Sequence, residues 1–217
     1  VNKLKHDAST TISGTIYQFY VALDYCFNLT SGQKLYIEKY GDITISDTKQ
    51  IEVKKYSDDL SDLHENIWKT LGNWLQDDFN LLDFKELILL TTQDYSKQST
   101  LADWNRKTVE EKYSLLKNIA DKYKEQAKKN KTKEKLVNAV LSKQNHDKLK
   151  AVLDKSLILD SSPKEIEYFN NIKDTKASHI PTVNRDNYIN SLLGFIIAPE
   201  TIKTNGWVIS YTCFTER

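Results

Sequence analysis

With 217 residues, 39% of them hydrophobic and 28% charged, the chain is long enough for one domain with a real core, and its polar N-terminus carries no signal peptide. No apolar run approaches the ~20 residues of a membrane span, so no membrane partner is expected. Cys26 and Cys213 are too few for a disulfide framework and form no CxxC zinc pair, which makes a reducing cytosol the expected setting.

In chain order, Ser9–Thr11 can cap a first helix. Ile12, Ile16, Phe19, Tyr20, Leu23 and Phe27 recur along it at helical spacing, and it is expected to end near Thr30–Gly32. Leu35–Lys39 alternates as a strand, and Gly41 sits at the turn that follows. Ile43 and Ile45, then Ile51 and Val53, alternate with polar residues and predict two further strands joined by the polar stretch Ser46 to Lys49. Leu60 to about Asp78 reads as an amphipathic helix, with Ser61 or Asp62 as its cap. Residues 86–92, ELILLTT, suit a strand covered on both faces.

Residues 107–156 read as mostly helical with a break around Asn130–Thr132. A short helix is expected from Lys164 to Ile172 and another over Tyr188–Ile197. Trp207–Phe214 alternates like a late strand. The order predicts an α/β core whose first three strands form an antiparallel meander, with a core at about 9–100 and 186–217 and an inserted helical lobe at about 101–185. The absence of Met and the start at Val1 suggest a domain cut from a longer protein.

A net charge of +1 conceals local imbalance. Twelve Lys face five acids between Leu116 and Lys155, whereas eight acids face two Lys between Tyr56 and Glu86. Either the basic stretch is a solvated helix face, or it meets a phosphate backbone.

Residues two apart on a strand share a face, so Ile51 and Val53 point one way and Gln50, Glu52 and Lys54 the other. The polar face is expected to open into a cleft or onto solvent. Asp42 begins the preceding strand, and a simple hairpin would bring it beside Glu52. Two adjacent carboxylates repel, and a hard divalent cation removes the conflict. A nearby lysine could then orient water or stabilise charge on a phosphate. The competing reading is a half-exposed strand whose Glu and Lys merely pair and deter edge aggregation. Glu38 and Gln18 could support the site or be a solvated strand end and an ordinary helix residue. Lys55 is expected to lead outward at the strand's end. The four His show no metal-ligand spacing, His64 is expected to be exposed on its helix, and Cys26 is expected to be a buried thiol.

The segments GTIYQFYVAL, LYIEKYGDITI, QIEVKKY, IWKTLGNWL and LILLTT, in this order, resemble the double-stranded-DNA endonuclease domain of the CD-NTase-associated antiphage effectors. Related domains occur in Lamassu-type defence nucleases, within the PD-(D/E)xK restriction-endonuclease-like superfamily. The resemblance runs from about Gly14 to Thr92 and continues more weakly through SLILDSSPKEIEYF and GWVISY. It implies a restriction-endonuclease-like core, a mixed central sheet flanked by helices. It further implies Asp42 and Glu52 as ligands of Mg²⁺ (or Mn²⁺), the Val53 carbonyl as an extra ligand, Lys54 as the catalytic lysine and Gln18 as support. Lys69 in the Trp-Lys-Thr helix would touch DNA phosphate, joined by the basic stretch with Lys128, Lys129 and Lys131, while Trp68 and Trp74 read as packing. Gly41 stands where the superfamily's name has proline. A cytoplasmic bacterial effector follows from the resemblance, one that cuts double-stranded DNA and acts with a sensor domain or partner subunit after homo-oligomerisation.

Overall fold

A computed structural model describes residues 9–126, 130–203 and 206–217. Its first element, α1 (Ser9–Cys26), buries Tyr17, Gln18, Val21, Ala22 and Leu23. Ile12 and Ile16 point outward, so the buried stripe is rotated from the one the apolar spacing predicts. The helix stops at Cys26, short of the expected end. Backbone turns over Tyr25–Leu29 follow, with Asn28 N–H bonded to the Tyr25 carbonyl and Leu29 N–H to that of Cys26. Strands β1 (Lys34–Ile37) and β2 (Ile43–Ile45) then form an antiparallel hairpin, with Ile37 opposite Ile43. β1 is shorter than the alternation predicts because the chain leaves it at Glu38, whose φ is 56°, and Gly41 adopts φ 110° before β2. A left-handed backbone suits glycine and costs other residues about 1 kcal/mol.

Next come β3 (Lys49–Lys54), α2 (Glu65–Trp74) and β4 (Glu86–Thr91). α2 is shorter than expected at both ends. Leu60 is buried and forms a parallel bridge with Tyr95. Asp62 is taken up by Ser99 and Thr100, whose hydroxyls and the Thr100 N–H donate to it at 2.7–3.0 Å. The cap is His64, whose Nδ1 accepts from the Asn66 N–H at 3.2 Å. His64 is therefore buried at the helix start and not exposed along it. β4 is apolar and buried along almost its whole length, as its composition predicts.

Helices α3 (Val109–Lys124), α4 (Lys131–Val140) and α5 (His146–Lys155) follow. Thr108 and Glu111 form a reciprocal capping box on α3. Asn130 caps α4 by accepting from Thr132 and Lys133 N–H, which is the physical content of the expected break. Strand β5 (Ser156–Leu159) starts directly where α5 ends. The helical expectation over 107–156 takes in Ser156 and assigns no strand to Leu157–Leu159, because no turn residue separates them from α5. β3, β4 and β5 are parallel in the order β3-β4-β5, with Glu52 opposite Leu89 and Leu89 opposite Ile158. The chain closes with α6 (Glu165–Lys176), α7 (Thr182–Ile196), β6 (Ile202–Lys203), β7 (Gly206–Ser210) and α8 (Tyr211–Thr215). α6 and α7 are both longer than expected. The late strand ends at Ser210, which caps α8 by accepting from the Cys213 N–H.

The result is mixed α/β, in two units. One comprises the chain up to Ser46 together with residues 162–217, and its strands lie antiparallel in the order β2-β1-β7-β6. The other comprises Asp47–Ser161, with the parallel strands β3, β4 and β5 and helices α2 to α5. Its core gathers Trp68, Trp74, Leu87, Leu89, Trp104 and Leu116. No helix among the described residues is long and apolar enough to cross a membrane.

Two buried polar devices secure these units. In the second, Lys112 is buried, and its Nζ donates to the Leu153 carbonyl at 2.9 Å and to the Ser156 carbonyl at 2.8 Å, where α5 passes into β5. Burial lowers its pKa below the ordinary lysine value. In the first, Tyr17 and Tyr168 meet edge to face at 5.5 Å, and the Tyr17 hydroxyl donates to the Pro163 carbonyl at 3.0 Å. Burial pushes both phenols and the Cys26 thiol upward, and the Asp24 carboxylate adds to the shift at Tyr168.

Lys112→Met removes a buried donor shared by two carbonyls, of which Leu153's keeps the Ser156 hydroxyl and N–H, and should lower the unfolding free energy by about 2 kcal/mol in urea titrations. For Cys26, Tyr17 and Tyr168 the folded pKa exceeds the unfolded one. The folded chain thus keeps protons that the unfolded chain releases above about pH 8.5 (thiol) and about pH 10 (phenols). The associated stability is complete below those values and is lost as pH rises through them. The urea midpoint should accordingly fall between pH 8 and pH 10.5, and Tyr17→Phe should reduce that fall.

Candidate active site

In the first unit the relevant group is Gln18. It is 7% exposed and lies in the buried stripe of α1. Its Nε2 donates to Glu38 Oε1 at 2.9 Å and to the Asp42 carbonyl at 2.7 Å. The Glu38 N–H also bonds to the Asp42 carbonyl at 3.1 Å. Gln18 thus clamps the turn between β1 and β2 at both ends. Asp42 stands on that turn directly before β2 and is half-buried, whereas Glu38 is exposed.

In the second unit Glu52 and Lys54 come together on β3, with Lys54 Nζ 2.9 Å from Glu52 Oε2. Their face is not open to solvent, as the alternation alone suggested. Gln50 is 0% exposed and Glu52 only 3%. The reason is α2, which lies on the same side of the strands as Leu87 and Leu89 and packs with them. From α2, Trp74 Nε1 donates to Gln50 Oε1, and Asn73 Nδ2 approaches Glu52 Oε2 at 3.4 Å. Gln50 Nε2 donates to Glu52 Oε1 at 3.0 Å. The carboxylate has exchanged water for an ammonium, an in-strand amide and a helix amide. Lys54 is half-buried, and Asn73 is exposed, so the cluster meets solvent on their side.

Val53 is buried on the opposite face with Ile51. Successive carbonyls of a strand point in opposite directions. Since Lys54's carbonyl accepts from Thr92 N–H at 3.2 Å, that of Val53 is directed away from β4. Lys55 lies just past the end of β3 and is half-buried, and burial lowers its pKa. Lys69 is exposed and pairs with Glu65 at 2.8 Å. It lies one helical turn before Asn73 and shares its stripe on α2. Lys131 is the exposed first residue of α4. Lys128 and Lys129 lie outside the described residues. Trp68 and Trp74 are core residues, as expected, but each also spends its indole N–H, Trp68 on the Asp62 carbonyl and Trp74 on Gln50.

Spacing alone did not reveal the roles of Asn73 and Trp74. A buried tryptophan needs an acceptor, and that requirement was the available signal. Also unforeseen is a buried polar group at the start of α2. Asn66 Nδ2 donates to Gln93 Oε1 at 2.7 Å, Gln93 Nε2 to the Asp58 carbonyl at 2.8 Å, and His64 Nε2 lies 3.1 Å from Asp58 Oδ2. While His64 Nδ1 accepts the capping bond, its Nε2 also lies 3.1 Å from the Gln93 amide nitrogen.

Among the described residues no group of three or more His, Cys, Asp or Glu side chains forms a metal-binding cluster. Mg²⁺ usually takes only one or two carboxylates and completes its shell with water and substrate. The ordered, hard-oxygen carboxylate of Glu52 is donor chemistry that fits such an ion. Comparison with family models, with curated proteins and with solved structures returns no match.

Lys54→Met would strand a nearly water-free carboxylate. It should cost about 2–4 kcal/mol in the urea unfolding free energy, and Glu52→Gln in the same background should recover part of the loss.

Proposed function

We propose that the chain is a metal-dependent endodeoxyribonuclease that cleaves double-stranded DNA with little sequence preference, as the cytoplasmic effector domain of a bacterial antiphage defence system. The reading rests on the resemblance of its ordered segments to the antiphage endonuclease domains and on one observation, the buried Glu52 carboxylate paired with a half-buried Lys54 on the α2-covered face of β3. Withdrawing a charge from water costs several kcal/mol, and apolar residues of similar size would often serve stability better. A strand that retains such a pair, with an amide from a neighbouring helix against it, is better explained by chemistry than by packing.

In this reading Glu52 is a ligand of Mg²⁺ or Mn²⁺, with the Val53 carbonyl as a further donor, and Asp42 is the other ligand that the resemblance implies. The ion supplies Lewis-acid polarisation of the phosphodiester and a more acidic bound water. Glu52 presents a carboxylate whose orientation is set before any ion arrives. Lys54 carries a positive charge at a fixed point 2.9 Å from Glu52 Oε2, suited to developing charge on a phosphoryl oxygen and to orienting the attacking water. Gln18 fixes the turn that bears Asp42. Lys69 and Lys131, both exposed, are suited to backbone phosphates, which position DNA without specifying sequence. The basic stretch that contains Lys128 and Lys129 would add to that footprint. A sensor domain or partner subunit and homo-oligomerisation complete the expected biology.

A second reading, a non-catalytic DNA-binding or protein-interaction module on a nuclease-like fold, draws on the same cluster. Both oxygens of Glu52 are already engaged, as they would be in a purely structural pair.

Supercoiled plasmid incubated with the protein separates the two. With Mg²⁺ the wild type should nick and linearise it, EDTA should stop the reaction, and Lys54→Ala should slow it about 100-fold or more without weakening DNA binding in EDTA. Degradation that persists in EDTA would rule out the metal mechanism, and intact binding without cleavage at any Mg²⁺ or Mn²⁺ concentration would favour the non-catalytic module.

A further inference from the structure

Gln50 and Trp74 form a chain of two donors that ends on Glu52. The Trp74 indole N–H can only donate, and it donates to Gln50 Oε1. That choice fixes the amide. Were Gln50 turned over, its nitrogen would face the indole N–H and its oxygen would face the carboxylate, leaving one clash of donors and one of acceptors. The Gln50 Nε2 therefore points at Glu52 Oε1, at 3.0 Å. Gln50 is 0% exposed and Trp74 only 2%, so neither bond competes with water. Glu52 Oε2 receives the more solvent-accessible donors, the half-buried Lys54 ammonium and the exposed Asn73 amide.

We propose that Trp74 and Gln50 are positioning residues that set the Glu52 carboxylate for a hard divalent cation. This rests on the reading of Glu52 as a metal ligand. A neutral amide aligns the carboxylate without adding a positive charge that would repel the ion. It also persists when Lys54 moves toward a phosphate. Trp74 acts only through Gln50, because its indole reaches no atom of Glu52 in the bonding pattern. Partners that hold a metal ligand from outside typically carry about 10–100-fold in metal affinity.

The test is Mn²⁺ titrated alone, followed by electron paramagnetic resonance, on wild type, Glu52→Gln, Gln50→Met, Trp74→Phe and the Gln50→Met/Trp74→Phe pair, with a thermal melt of each. Wild type should bind Mn²⁺, and Glu52→Gln should lose it. Gln50→Met and Trp74→Phe should each weaken binding about tenfold. The double variant should be no weaker than Gln50→Met alone, since the indole N–H that Trp74→Phe removes bonds to Gln50 and not to Glu52. Additive losses, or affinities equal to wild type in the single variants, would overturn the positioning role while leaving the nuclease reading intact. Wild type that shows no Glu52-dependent Mn²⁺ binding would overturn both. Should Gln50→Met melt far below wild type, Trp74→Phe alone decides the matter, because phenylalanine keeps the ring in the core and removes only the donor.

Discussion

Glu52 has given up nearly all contact with water, and the surrounding unit is arranged to compensate it. An ionised carboxylate with no donors is among the costliest groups a protein can bury. Here an in-strand amide serves one oxygen, and an ammonium and a helix amide serve the other. The requirement propagates outward. Gln50 must hold its amide in one orientation, so a tryptophan must stand above it as a donor. That tryptophan belongs to α2, so α2 can dock on β3 in only one rotational setting. Trp74 thereby joins two tasks, filling the core beside Leu87 and Leu89 and ending a chain of hydrogen bonds.

The opposite end of α2 is held by equally polar means. His64 caps it, and the buried Asn66 and Gln93 form a network around the cap that reaches the exposed Asp58. Each member has a partner, which is the condition under which a buried polar network rigidifies rather than weakens a core. A helix of ten residues has little stability of its own. Anchored at its first turn by His64 and at its last by Trp74, it can present Asn73 to Glu52 and Lys69 to solvent along one stripe. The hairpin that carries Asp42 relies on a similar principle in its own unit, where one buried amide, Gln18, replaces water for a turn that leaves the strand at a left-handed Glu38.

Much of this was legible in the residues. Strict alternation marked β2 and β3, continuous apolar character marked β4, and an asparagine marked the start of α4, since each reports a local periodicity or a local hydrogen bond. β5 was not legible, because SLIL continues the apolar spacing of α5 and no turn residue interrupts it. The ends of α2 were misjudged for a related reason. Asp62 has the chemistry of a cap, but a loop 37 to 38 residues later in the chain claims it, and a histidine takes its place.

The sequence by itself determined the α/β class and the positions of most strands and helices. It also determined that Gln50, Glu52 and Lys54 share one face of a strand, because that follows from the two-residue period of an extended chain. Only the tertiary structure decided that this face is covered rather than open, which residues of α2 cover it, and that an indole sets the amide beside the carboxylate. Those facts depend on how a helix rolls and slides over a strand more than twenty residues away, and no local pattern encodes that choice.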